Sequence, residues 1–273
     1  MEIRVLAEDT SCGSGFQSEH GLSLYIESRG IKILFDMGAS DLFLENAKKM
    51  NIKIEDVDLA VISHGHYDHG GGLKSFLEEN EKAKVYINSK AFGNHYSKVA
   101  ERYKYIGLDK ELMKNSRIIH TSDIFPISYN LILFSNVTGD ELLSSCNSSL
   151  YIENAGSIEP DEFEHEQSLL IKENDKLVLI AGCAHRGIVN IIKSSIPLKC
   201  RQPDYVIGGL HLYNHSKGTS EDEWTVNKIG DFLKESGSVC YTGHCTGAES
   251  FYNLKKVMGG QIQYLSTGSV VKI

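Results

Sequence analysis

The chain has 273 residues, 41% of them apolar and 23% charged, and a formal net charge of -8. This length and apolar content suit a globular protein with a sizeable core, while the acidic balance argues against a global basic field that would hold a nucleic-acid backbone. No apolar stretch reaches the ~18–20 residues needed to cross a bilayer, and the opening MEIRVLAEDT lacks the charged n-region and long apolar core of a signal peptide.

The expectation is therefore a cytoplasmic protein that acts on a small molecule, with neither nucleic acid nor membrane as partner. Its oligomeric state is left open. The six cysteines, Cys12, Cys146, Cys183, Cys200, Cys240 and Cys245, are then expected to be reduced. No CxxC pair occurs among them, which argues against a zinc ribbon.

In chain order, EIRVLA, GLSLYIES and IKILFD read as strands, the last two joined by a turn at Arg29-Gly30. SDLFLENAKKM has helical spacing in Leu42, Phe43, Ala47 and Met50, with Ser40 or Asp41 as N-cap. VDLAVIS is a buried-strand run, LKSFLEEN a helix and KVYIN a strand. Between 90 and 165 the pattern is harder to follow: SKVAERYKYIGL looks helical, whereas RIIH and NLILFS look like strands. Regular alternation resumes with SLLIKENDKLVLIAG as a hairpin, GIVNIIKSS as a helix and DYVIGGL as a strand. A helix over 221–235, the strand SVCYTG, a helix over 248–258 and the strand QIQYL follow. Strands alternating with helices, after early hairpins, predict a layered α/β domain.

The residues that carry chemistry stand directly after VDLAVIS. Residues 62–70 read ISHGHYDHG, placing His64, His66, Asp68 and His69 within six positions. A strand delivers the chain into this loop, where His64 and His66 can reach one centre and Asp68 and His69 a second. Imidazole suits zinc, iron, manganese or cobalt, and a carboxylate among the ligands favours a site that handles water. Gly70, Gly71 and Gly72 follow at once and allow a tight turn or close approach to a ligand. Other catalytic signatures are missing: there is no GxSxG elbow, no P-loop and no strand-linked GxGxxG.

The pattern His64-x-His66-x-Asp68-His69 resembles the signature of the metallo-β-lactamase superfamily. ILFDMG resembles that family's first motif, which puts Asp36 behind the metal ligands as their support. VCYTGHCTG resembles the late strand ending in Gly-His, which puts His244 among the ligands, and KLVLIAGCAH puts Cys183 at a possible sulfur-ligand position. Many members carry a further histidine in an HTPG-like motif. None occurs here, so the third ligand of the first metal lies between His185 and His165, and the turn that follows Gly182-Cys183 favours His185.

The resemblance implies an α/β fold, a four-layer αββα sandwich of two mixed sheets. One domain would span 1–273, with an insertion or lid around 92–150. It also implies two divalent ions, zinc first and manganese or iron as alternatives. His64, His66 and His185 would hold one, and Asp68, His69 and His244 the other. A metal-bound hydroxide would then attack a small ester or phosphodiester-type substrate, with Asp68 and His211 as catalytic groups; by their positions in sequence His211 is expected at the substrate, and Arg186 either holds a substrate phosphate or forms a surface salt bridge.

GLSLYIE, SHGHYDHGGGL, GCAHRGIVNI, GGLHL and GHCTG are most similar to the 7,8-dihydropterin-6-methyl-4-(β-D-ribofuranosyl)-aminobenzene-5′-phosphate synthases. That subgroup implies an alternative: a transferase that condenses a pterin diphosphate with an aminobenzene ribotide. A di-iron redox protein is a third reading, disfavoured by the scarcity of extra carboxylates around the motifs. His20 is either a rim residue or a turn residue, and His95, His120 and His215 have no partners in sequence and read as ordinary.

Overall fold

A computed structural model describes all 273 residues, which divide into two compact units. The first comprises Met1–Gly93, Gly107–Thr121 and Leu265–Ile273, and the second Asn94–Ile106 and Ser122–Tyr264. No helix is long and apolar enough to cross a membrane.

The first unit is built on a seven-stranded mixed sheet. Its strand order is Val270–Lys272, Glu2–Ala7, Ser23–Ser28, Ile31–Phe35, Leu59–Ile62, Lys84–Asn88 and Ile118–Thr121. The first four strands pair antiparallel, and those from Ile31–Phe35 onward pair parallel. Arg29 and Gly30 both take positive φ, 52° and 80°, as a two-residue hairpin turn requires. Parallel pairing needs crossovers, which the helices Leu42–Lys49 and Leu73–Glu79 supply. Leu59–Ile62 is buried along its whole length, which explains its uninterrupted apolar sequence. Phe43, Phe76, Leu34 and Val85 belong to the core beside it. Asn80 ends the second helix by donating to Ile54 O and Val57 O at 2.8 and 2.9 Å and accepting from Ala83 N at 2.7 Å.

The glycines after the histidine cluster serve this packing. Met37 N donates to His69 O at 2.7 Å and Gly71 N to Gly38 O at 3.0 Å, so the histidine loop lies directly on segment 37–40. A Cβ on Gly71 would run into the Ala39 carbonyl, and one on Gly72 into that of Met37. The approach these glycines permit is to the protein's own main chain.

The second unit carries a seven-stranded sheet in the order Ile262–Tyr264, Val239–Thr242, Tyr205–Ile207, Lys176–Ile180, Ser168–Glu173, Leu131–Phe134 and Ile124–Pro126. Its first four strands are parallel and the rest antiparallel. Helices Ile188–Lys199, Glu223–Glu235 and Ala248–Met258 bury Ile191, Ile192, Val226, Leu233 and Leu254 in the core. Asp222 caps the middle helix by accepting from Thr225 N at 3.0 Å.

A four-stranded antiparallel sheet completes this unit, in the order Ser157–Pro160, Leu150–Asn154, Asn94–Val99 and Arg102–Tyr105. It corrects the helical reading of SKVAERYKYIGL. Ala100 turns the chain with a φ of 53°, and the flanking residues pair as strands. Cross-strand contacts outweigh the helix propensity of the local Ala, Glu and Lys. Tyr96 meets Tyr105 edge-on at 5.7 Å, and Tyr103 meets Tyr151 at 5.2 Å.

Gly71→Ala is expected to destabilise the first unit by about 2–4 kcal/mol, because backbone on both sides must move. Urea denaturation with an unchanged midpoint would contradict this.

Candidate metal centre

In the first unit the site begins with two neighbouring parallel strands, Ile31–Phe35 and Leu59–Ile62, which end at the same edge of the sheet. Asp36 leaves the first with a φ of 57° and a fully buried side chain. A buried carboxylate persists only when its oxygens are satisfied, and here they are. Oδ1 accepts from Ser63 N at 2.7 Å, and Oδ2 accepts from Ser63 Oγ at 2.7 Å and from His69 Nδ1 at 2.7 Å. The Ser63 hydroxyl gives its proton to Asp36, so its lone pair receives the Nδ1 proton of His64 at 2.8 Å.

One carboxylate thus sets two tautomers. His64 and His69 both carry their proton on Nδ1 and present Nε2 as a lone-pair donor, the state a metal ligand needs. The His64 ring lies 4.6 Å from that of His66 and 4.1 Å from that of His69, and all three are buried. Asp68 belongs to the short helix Tyr67–Gly70, with Oδ2 3.6 Å from His69 Nε2 and 3.4 Å from His20 Nε2. His20 in turn holds Asp9 Oδ2 at 2.9 Å, so it is a neighbour of the Asp68 carboxylate.

In the second unit the parallel strands Lys176–Ile180, Tyr205–Ile207 and Val239–Thr242 likewise end at one edge. The chain leaves them through Cys183-Ala184-His185, Leu210-His211 and His244-Cys245. Ala184, His211 and His244 take φ of 58°, 48° and 50°, a left-handed conformation that non-glycine residues keep only where surrounding structure imposes it.

His185 is clamped by Asn147, whose Oδ1 lies 3.0 Å from His185 Nδ1 while its Nδ2 donates to His185 O at 2.8 Å. The second bond fixes which way the amide faces, so Nδ1 of His185 carries the proton and Nε2 the lone pair. Phe163 stacks on the same ring at 4.4 Å with 3° between planes. Glu166 accepts from His185 N at 2.7 Å and Arg186 N at 2.9 Å. Burial pushes its carboxyl up to about 7 against the pull of those two amides. Arg186, a candidate to hold a substrate phosphate, directs its guanidinium to the carbonyls of Val137, Glu162 and Gly139 at 3.1, 3.2 and 3.3 Å.

His165 is engaged differently from His185. Its Nε2 lies 3.1 Å from Asp161 Oδ2, and His95 Nδ1 lies 3.0 Å from the same oxygen, with the two rings 4.1 Å apart. Burial alone would raise the Asp161 carboxyl, but the two imidazoles beside it hold it well below the usual carboxylate range. Burial also lowers His165, with His95 adding to the effect. His95, read from sequence as ordinary, is therefore part of a buried hydrogen-bonded cluster around Asp161.

Cys183 Sγ lies within 4.8 Å of a donor atom of each of His185, His211, His244 and Cys245. His185 and His211 have ring centroids 4.1 Å apart. His211 N donates to Cys245 Sγ at 3.2 Å, and Leu210 N to Thr246 Oγ1 at 3.0 Å, tying the ends of the last two strands together. Gly209 faces Cys245 Sγ where a Cβ would collide with it. Burial pushes the Cys245 thiol up, but Cys183, His244 and His211 outweigh it and hold the thiol well below its ordinary value.

Sequence motifs located the histidines but missed Asn147, Asp161, Glu166 and Ser63, which hold them. Ser63, Glu166 and Cys245 carried a local signal, standing beside His64, His165 and His244 in sequence.

The residues and their setting agree with what comparison with known proteins finds. The model of the metallo-beta-lactamase superfamily matches residues 19–186, and the chain belongs to that superfamily and has its fold. Among its relatives is the 7,8-dihydropterin-6-methyl-4-(beta-D-ribofuranosyl)-aminobenzene-5'-phosphate synthase of Methanocaldococcus jannaschii, 29% identical over 100% of this chain and 96% of the relative. An uncharacterised protein of the same organism is 30% identical over 99% of this chain and 100% of its own. A crystal structure described as a metal-dependent hydrolase of the beta-lactamase superfamily is 32% identical, with a TM-score of 0.80, covering 100% of this chain and 99% of that one.

Replacing Asp36 by Ala is expected to weaken the binding of a divalent metal about 10–100-fold, since both Nδ1 anchors depend on it. Competition against a chromophoric chelator measures this, and equal affinities would show that His64 and His69 keep their tautomers unaided.

Proposed function

We propose that the chain is a metal-dependent hydrolase of a small ester or phosphodiester-type substrate. Two divalent ions, zinc first, would be held by His64, His66 and His185 and by Asp68, His69 and His244. The observation that carries this reading is the state of the imidazoles. His64, His69 and His185 each have Nδ1 engaged by Ser63, Asp36 and Asn147, leaving Nε2 as the donor. A structural histidine has no need of so consistent an arrangement, whereas a ligand does.

Divalent ions bound there supply acidified water and positive charge for the leaving oxygen. The chain's own residues orient and exclude. Asp36 and Asn147 keep the rings in register, Phe163 shields the face of His185, and Asp68 accepts the proton that the attacking water gives up.

Elemental analysis of the purified protein should find stoichiometric transition metal, and its absence would refute the reading. A metal-replete screen of phosphodiesters, phosphomonoesters, lactones and thioesters should find turnover in at least one class, abolished by His66→Ala. Activity and metal content should also fall together below about pH 6, where imidazoles take up protons and release metal. Activity lost by about pH 5 with metal retained would contradict the ligand set.

A second reading rests on the full-length similarity to the synthase. In it the same ions activate a pterin diphosphate, and the nucleophile is an aminobenzene ribotide. Product formed from those two compounds, with the simple esters left intact, would favour it over hydrolysis.

A further inference from the structure

Asn147 can hold His185 only if Asn147 is itself held. It sits in the single 3₁₀ turn Ser145–Ser149, whose sequence SCNSS offers one buried apolar side chain, Cys146. So short a turn, with the poorer hydrogen bonds of a 3₁₀ helix, does not persist on its own strength. A carboxylate far along the chain fixes its start. Glu221 is buried, with Oε2 accepting from Ser144 Oγ at 2.8 Å and from Ser145 N, and Oε1 accepting from Ser145 Oγ and Asp222 N, both at 3.0 Å. Ser144 Oγ in turn accepts from Cys146 N at 3.2 Å, as an N-cap does. The other end of the turn is gripped by the buried Asn214, whose Nδ2 donates to Cys146 O at 3.0 Å and to Ser149 Oγ at 3.1 Å. Asn214 and Glu221 stand on one hairpin, closed where Glu221 N donates to Leu212 O at 2.8 Å.

We propose that Glu221 is a positioning residue of the metal centre: through Ser144, Ser145 and Asn147 it fixes the tautomer and orientation of His185. The proposal rests on the reading of His185 as a metal ligand. Taking a carboxylate out of water is costly unless its oxygens are satisfied, and here each oxygen accepts one backbone N–H and one hydroxyl. The hydroxyls can turn to suit another group, but the two backbone donors cannot. An amide in place of the carboxylate would set its NH2 against Ser145 N or Asp222 N, whichever way it is turned. Position 221 therefore requires an acceptor on both sides, and a side chain of the same size does not suffice.

The test compares the metal-free full chain with its Glu221→Gln variant by nitrogen-15 NMR of the histidine rings, His185 being assigned by its loss in His185→Gln. Wild type should show His185 as a single tautomer with the proton on Nδ1. In Glu221→Gln its two ring-nitrogen signals should move toward each other, as they do when an imidazole samples both tautomers, and zinc affinity should fall about tenfold. Asn147→Ala should do the same, and the double variant should fall no further, because Glu221 acts through Asn147. Ser144→Ala, at a half-buried position, should move the signals in the same direction and decides the matter if Glu221→Gln fails to fold. His185 signals unchanged in both Glu221→Gln and Ser144→Ala would overturn the proposal, as would losses of affinity that multiply in the double variant. Zinc binding that depends on His185 and Glu221, with no turnover of any ester or phosphodiester, would refute the hydrolase reading while sustaining this one.

Discussion

The buried carboxylate of Asp36 is the interaction on which the first half of the site depends. It accepts three hydrogen bonds, one from an amide, one from a hydroxyl and one from an imidazole. A charge taken fully out of water is tolerable only under such saturation. The saturation also orders its neighbours: Ser63 must point its proton one way, and His64 and His69 must then point theirs. The electrostatic need of one residue is transmitted as tautomer and orientation to two others.

The second unit reaches the same end by other means. Asn147 takes the place of a carboxylate, and its two-point grip on His185 replaces charge with geometry. Asp161 shows the opposite use of a buried anion. It draws His95 and His165 together on a single oxygen, so that their Nδ1 and Nε2 atoms face inward to it. In the sequence His165 and His185 were both candidates, with His185 favoured by the turn after Gly182-Cys183. Their partners distinguish them, one engaged by a carboxylate on Nε2 and the other by an amide on Nδ1.

Much of this was legible in the sequence for identifiable reasons. Strands such as LAVI and the hairpin around Asn174 are set by apolar runs and local turn residues. The ligand cluster is compact because one loop supplies it. The rest depended on partners far along the chain: His95 and Asp161 are 66 residues apart, and Asn147 and His185 are 38 apart. The strands 94–105 were misread for the same reason, since the tyrosines that hold them include one at 151. Gly71 and Gly72 were read as allowing a tight turn or the approach of a ligand, and a sequence does not reveal that the loop rests on its own main chain.

The four-stranded tyrosine sheet has a consequence for the protein's life among other chains. Arg102–Tyr105 and Ser157–Pro160 are its outer strands, and every residue of both is exposed. Unpaired strand edges invite pairing with a stranger. One edge carries Arg102 and Lys104, and the other carries Glu159 and closes on Pro160, which has no amide proton to offer. Charge and proline keep these edges solvated, so the aromatic surface can remain open to water without becoming a template for aggregation.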